Sequence, residues 1–152
     1  MALWNEPRVL VQKLTGPVYT ATTSVQLDPL VPGVRAGIVA LGRDYAYLAL
    51  ETTAGGTRVL VSVCRGADSG GGETEIAAAL IASSTAQLRL SVDEDAVGRF
   101  SFSRDGRRFE PLGEPIQLRG GIWVGARVGL FAVSAPGTAT STYADFDWFR
   151  VE

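Results

Sequence analysis

The chain reads as all-β, a two-sheet antiparallel β-sandwich of jelly-roll or lectin type, and three observations carry that reading. Apolar residues recur with a period close to two through most of the 152 residues, the spacing of half-buried strands. Turn-forming clusters interrupt this alternation every 8–12 residues or so, which is the punctuation of a sandwich. A single short stretch, 75–82 (EIAAALIA), offers a helical alternative through its alanines,.

Residues 8–14 (RVLVQKL) alternate loosely and predict a first strand. After Gly16-Pro17, residues Tyr19, Ala21, Thr23, Val25 and Leu27 share one face, and the β-branched residues between them favour extended chain,. Pro29, Pro32 and Gly33 turn the chain into 35–42 (RAGIVALG), and Arg43-Asp44 turns it again into 45–52 (YAYLALET),. Gly55-Gly56 reads as a hairpin leading to 58–64 (RVLVSVC),. Composition makes 66–72 (GADSGGG) a flexible loop,. The alanine-rich 75–82 lies among strands and is only eight residues long, so it is read as a strand.

Further on, 86–92 (AQLRLSV) alternates with Leu88, Leu90 and Val92 inward, and 99–103 (RFSFS) follows a turn at Asp93-Glu94-Asp95. Asp105-Gly106 turns into 108–112. In 123–133 (WVGARVGLFAV), Val124, Ala126, Val128, Leu130 and Ala132 form an inner face. The last stretch, 143–151 (YADFDWFRV), holds four aromatics and two carboxylates and predicts a closing strand beside an N-terminal one,. There is no repeat and no internal boundary, so residues 1–152 form one domain,.

Charge and composition exclude whole classes of function. Net charge is −2, and 13 arginines and one lysine are scattered except for Arg104, Arg107 and Arg108 around the Asp-Gly turn. Nucleic acid and anionic membranes are therefore not expected as partners. The N-terminus has no basic region followed by an apolar core, and no apolar run approaches the ~20 residues of a membrane helix, so a soluble chain is expected,. Cys64 is the sole cysteine and reads as a buried thiol,. Histidine is absent, which removes histidine-dependent nucleophiles, bases and zinc sites together,.

Carboxylates remain as candidates. Asp145 and Asp147 alternate on the closing strand, so they share a face about 7 Å apart,. A glycosidase needs two carboxylates, but no partner for a leaving group accompanies this pair, and the chain is read as non-catalytic. Asp147 suits a structural Ca²⁺ instead, with Glu6 or nearby carbonyls completing the oxygen shell,. Sugar binding asks for stacking aromatics beside planar polar groups. Tyr45 and Tyr47 share the face opposed by aliphatics, Arg89 lies on the same kind of face, and Gln12 and Gln87 could join them,. Trp4, Trp123 and Trp148 are the other stackers, and Trp123 is taken into the candidate glycan set.

Several stretches together resemble one known family. They are 10–14 (LVQKL), 19–23 (YTATT), 36–42 (AGIVALG) with 44–48 (DYAYL), 88–90 (LRL), 100–103 (FSFS) with Asp105-Gly106, 123–131 (WVGARVGLF) and 144–149 (ADFDWF). They resemble the concanavalin A-like β-sandwich at the C-terminus of β-xylosidases and relatives in glycoside hydrolase family 43. Some of these modules are classed as carbohydrate-binding module family 91. The resemblance implies an accessory module of a hemicellulose-degrading glycosidase that binds xylan or arabinoxylan on a concave sheet face. It also implies a separate catalytic domain; the alternative is a purely structural module that docks and stabilises that domain. Family members usually carry further strands ahead of Val9 and an aromatic in the loop before the Tyr19 strand. Here that loop is Thr15-Gly16-Pro17-Val18.

Overall fold

The computed structural model describes residue 3 and residues 8–14, 16–119, 127–139 and 141–152. Among them, twelve strands follow in order: β1 (Val9–Lys13), β2 (Tyr19–Leu27), β3 (Val34–Leu41), β4 (Tyr45–Thr53), β5 (Gly56–Cys64), β6 (Glu73–Ile81), β7 (Thr85–Val92), β8 (Val97–Ser103), β9 (Glu110–Pro111), β10 (Ile116–Gln117), β11 (Arg127–Ser134) and β12 (Ala144–Val151). The first sheet has the order β1-β11-β3-β4-β5-β6, and the second has β10-β8-β7-β2-β12 with β9 added to β8. Every pairing is antiparallel. No helix among the described residues is long and apolar enough to cross a membrane.

The period-two pattern places the core where the sequence implies. Ala21, Val25 and Leu27 of β2 and Leu88 and Leu90 of β7 share one buried cluster with Ile38, Leu48 and Val61 of the facing sheet. Each such large aliphatic contributes about 1.5–3 kcal/mol by leaving water. Strand β6 confirms the extended reading of its alanine-rich stretch. Ala77 and Ala79 pack on the core, Ile81 is buried, and the intervening residues face out. Pairing with β5 thus overrides the helix propensity of alanine,.

Two expectations change. The glycine-rich stretch is tied down: Gly66 donates its amide to Asp44 Oδ1 at 2.8 Å, and Ala67 donates to the Arg43 carbonyl at 3.0 Å. Buried Asp44 also pairs with Arg65 and Arg119, so one carboxylate closes the β3–β4 turn onto this loop. The closing strand β12 pairs with β2, whereas the first strand β1 pairs with β11 in the other sheet. The two edges face each other across an apolar cleft of about 590 Å³ that includes Leu10, Leu130, Phe146, Trp148 and Phe149.

Strand β12 also carries a bulge. Its register to β2 shifts between Phe146 and Trp148 and leaves Asp147 without an opposite residue. The extra residue turns Trp148 toward the outer face, opposite Ser24, and returns Phe149 and Val151 to the core side,. Simple alternation would have left Trp148 inside with Phe146.

Gly37 of β3 lies between Phe131 of β11 and Ala49 of β4. A β-carbon there would meet the Leu48 carbonyl oxygen at 2.0 Å, whereas one on Gly72 would meet nothing within 4 Å. Gly37→Ala is expected to lower the unfolding free energy by about 1–3 kcal/mol, and Gly72→Ala by less than about 0.5 kcal/mol. Equal urea midpoints for the two variants would contradict this packing.

Candidate functional site on the outer face of the first sheet

The face of the first sheet turned away from the sandwich core carries a second apolar cluster, formed by Leu3, Val39, Tyr45, Tyr47, Leu60 and Phe131 among others. Beside it lies a polar groove of about 310 Å³. Strand pairing builds the groove row by row. Arg35 of β3, Glu51 of β4 and Arg58 of β5 stand opposite one another, and Tyr47, Ser62 and Glu75 form the next outward row but one. Glu73 stands opposite Cys64, next to Tyr45. Leu60 and Val133 supply an apolar part of the lining.

The charges form one connected network. Glu51 accepts from Arg35 Nη2 at 2.6 Å and from Arg58 Nε at 2.6 Å, and Arg58 also grips both oxygens of Glu75. Glu73 accepts from the Tyr45 hydroxyl at 2.6 Å, the Tyr47 hydroxyl at 2.8 Å and the Leu3 amide at 3.2 Å. Tyr47 in turn accepts from Arg35 Nη1 at 2.5 Å, so it relays between the arginine and Glu73. Charge-assisted bonds of this kind are about twice as strong as neutral ones.

Burial and partners set the protonation states. Burial opposes ionisation of Glu51, but the hydrogen bonds from Arg35 and Arg58 outweigh it and hold the carboxyl below the ordinary glutamate range,. Burial pushes the Tyr47 phenol up to about 12, with Arg35 opposing and Glu73 adding to the rise. Tyr45 is pushed up further by burial and by Glu73. Glu51 is therefore a fixed anion and both phenols are fixed donors. This suits recognition of hydroxyl groups better than proton transfer near neutral pH.

The structure separates the residues expected to bind sugar. Tyr45 and Tyr47 do face away from the core, nearly parallel with ring centroids 6.4 Å apart, but both are buried. Leu3 packs in the same cluster and donates its amide to the Tyr45 hydroxyl. Their rings offer no exposed stacking surface, so the expectation of an open tyrosine platform is corrected. Arg89 lies on β7, on the outer face of the opposite sheet, and shares no surface with the tyrosines. Gln12 stands on β1 opposite Val128, a core residue, which puts it on the reverse face of the first sheet at an exposed edge.

Trp123 and Trp4 lie outside the described residues, as does Glu6, the second expected calcium ligand. Asp147 is exposed at the bulge, and no group of three or more Cys, Asp or Glu suited to a metal ion occurs among the described residues. Asp145 and Asp147 are both exposed, and only Asp145 keeps a residue opposite it, Gln26.

Part of this groove is legible in the sequence. The turn at 42–44 pairs Arg35 with Glu51, and the turn at 54–55 pairs Glu51 with Arg58, each placed differently from the Arg43-Asp44 and Gly55-Gly56 turns that composition suggests. Opposite charges at those positions were the available signal. Glu73 was hidden, because a bulge between Val61 and Ser62 shifts the β5–β6 register.

Two pH effects follow with opposite signs. The Glu51 carboxyl titrates below its ordinary 4.5 in the fold. Its contribution to stability is complete above that value and is lost as pH falls through the folded value. Tyr47 titrates near 12 rather than 10.0, so its contribution is complete below pH 10 and is lost as pH rises toward 12. Urea unfolding across both ranges should give a flatter acid limb for Glu51→Gln and a flatter alkaline limb for Tyr47→Phe. Limbs unchanged from the parent would contradict these assignments. Calcium at Asp147 is tested by melting with and without a chelator. A bound ion that stabilises the fold lowers the Tm on removal, and an unchanged Tm counts against Asp147 as a ligand.

Comparison with known proteins places this architecture. A family model described as the beta xylosidase C-terminal concanavalin A-like domain matches residues 1–152. No curated protein sequence matches the chain. Among solved structures, a bifunctional GH43-CE protein of Bacteroides eggerthii superposes with a TM-score of 0.82 at 23% identity, covering 95% of this chain and 18% of that one. The GH43 protein BlXynB of Bacillus licheniformis superposes at 0.76 with 20% identity, covering 94% and 29%. Sheep galectin-11 shares the fold more distantly, at 0.54 and 10% identity over 97% and 100% of the two chains. The chain thus spans less than a third of the two GH43 proteins it matches. It belongs to the family of C-terminal concanavalin A-like domains of beta-xylosidases and is the non-catalytic module of such enzymes.

Proposed function

We propose that this module serves a hemicellulose-degrading family 43 hydrolase by holding xylan- or arabinoxylan-type glycan in the polar groove on the outer face of the first sheet. One observation carries the reading. Glu51, Glu73, Glu75, Arg35 and Ser62 converge on a groove of about 310 Å³ with Leu60 and Val133 in its lining. Such a groove is at the small end of ligand sites and suits one or two sugar rings. The carboxylates accept from sugar hydroxyls, the arginine donates to ring and hydroxyl oxygens, and the apolar lining meets the C–H face of the ring. Internal ion pairs fix these groups before a ligand arrives, which lowers the ordering cost of binding.

A second reading, docking onto a catalytic domain of the same enzyme, is favoured by a different surface. The apolar cleft between β1 and β12 includes Leu10, Phe146, Trp148 and Phe149, and Leu10 is 74% exposed. Clustered exposed apolar side chains mark contact surfaces. The two readings use different faces and are compatible.

Affinity electrophoresis through xylan, arabinan and β-glucan is expected to retard the protein on xylan. Glu75→Gln, at the more open end of the groove, should weaken retention about tenfold through one lost charged hydrogen bond while leaving the circular-dichroism melt near that of the parent. Unretarded migration on all three glycans would overturn the glycan reading and leave docking.

A further inference from the structure

The outer face of the second sheet holds an arrangement that the groove does not use. Arg89 stands on β7 between Thr22 of β2 and Ser101 of β8, which lie directly opposite it on either side. Its guanidinium carbon sits 3.6 Å from the centroid of the Phe109 ring, and its Nε donates to Thr22 Oγ1 at 3.2 Å. The stack fixes the plane of the guanidinium and the hydrogen bond fixes its rotation. Its two terminal nitrogens have no hydrogen-bond partner and no carboxylate within salt-bridge distance among the described residues. A planar fork held this way is a bidentate carboxylate receptor, because the entropy of orienting it has already been lost on folding.

The surroundings reinforce the charge. Arg107 and Arg108 immediately precede Phe109, and both are exposed. The nearby carboxylates are occupied. Asp105 accepts from the Ser103 hydroxyl and from the amides of Arg107 and Arg108, Glu110 pairs with Arg104, and Asp93 pairs with Arg99. Glu94 and Asp95 lie out at the β7–β8 turn. The remaining acids, Asp145, Asp147 and Glu152, lie on or beside β12 on the far side of β2, two strand spacings or about 10 Å from β7,. Around Arg89 the face carries Thr22, Ser24, Gln87 and Ser101, whose hydroxyl and amide groups can meet sugar hydroxyls.

We propose that Arg89, stacked on Phe109 and flanked by Arg107 and Arg108, is a subsite for the carboxylate of a uronic-acid group on a hemicellulose chain. The inference rests on the reading that this module meets glycan, but it concerns a different face and a charged rather than a neutral substituent.

Calorimetry with three xylo-oligosaccharides tests it: one unbranched, one carrying a glucuronic-acid branch, and the branched one with its carboxyl reduced to an alcohol. The acidic ligand is expected to bind at least about tenfold more tightly than the unbranched one. That advantage should disappear on carboxyl reduction, shrink with added salt, and be lost in Arg89→Gln. The reduced ligand requires no change in the protein, so the test survives a misfolded variant. Equal affinities for acidic and unbranched ligands, or an advantage that persists after carboxyl reduction, overturn the subsite while leaving the groove. Binding of the acidic ligand alone, dependent on Arg89 and indifferent to Glu75→Gln, upholds the subsite and overturns the groove. Binding of none of the three overturns both.

Discussion

The carboxylate of Glu73 accepts hydrogen bonds from the hydroxyls of Tyr45 and Tyr47 and from the amide of Leu3. Those bonds join three parts of the chain: the edge strand β6, the start of β4 and Leu3. The rest of the outer face depends on this junction. Without a buried acceptor, two phenols on one strand would each need water or solvent exposure, because an unpaired buried hydroxyl costs about 1–3 kcal/mol. With it, the tyrosines lie flat beneath Leu3, Phe131 packs edge-on against Tyr47 at 4.8 Å, and Arg35 is held by the relay through the Tyr47 hydroxyl. The polar groove is the open continuation of that buried network.

This arrangement explains why a pair of outward-facing tyrosines became structural. Alternation places Tyr45 and Tyr47 correctly on the face away from the core, yet alternation is blind to what lies over that face. A second apolar cluster covers them, and such covering depends on contacts between residues as distant as Leu3 and Glu73. Strand positions were legible because a period of two, glycine pairs and Asp-Gly turns are local signals. The charge row Arg35–Glu51–Arg58 was only partly legible: the charges are plain, but the turns that set their register fall at 42–44 and 54–55 and not at Arg43-Asp44 and Gly55-Gly56. Glu73 and Trp148 were not, because both owe their positions to β-bulges that shift a register by one residue. The two-residue strand β10 was missed for a simpler reason: at Ile116–Gln117 there is no alternation to read.

The two outer faces solve the same chemical problem differently. On the first sheet, acids outnumber arginines and the pairs between them leave acceptors pointing at a confined groove. On the second, the acids nearest Arg89 are taken up by local partners, Arg89 is stacked on an aromatic ring, and the surface is open. A module built this way can meet a neutral sugar ring on one side and an acidic substituent on the other, while the apolar cleft between β1 and β12 remains for contact with a larger protein. None of these surfaces needs a catalytic group, in keeping with the family's non-catalytic role.

The role of the groove depends on where a sugar sits. A crystal structure of the protein soaked with xylotriose addresses it directly. A xylose ring is expected in the groove of the first sheet, against Leu60 and Val133, with hydroxyls within hydrogen-bond distance of Glu75 and Arg35. A sugar bound only elsewhere, or an empty groove at a ligand concentration that retards the protein in solution, would contradict it.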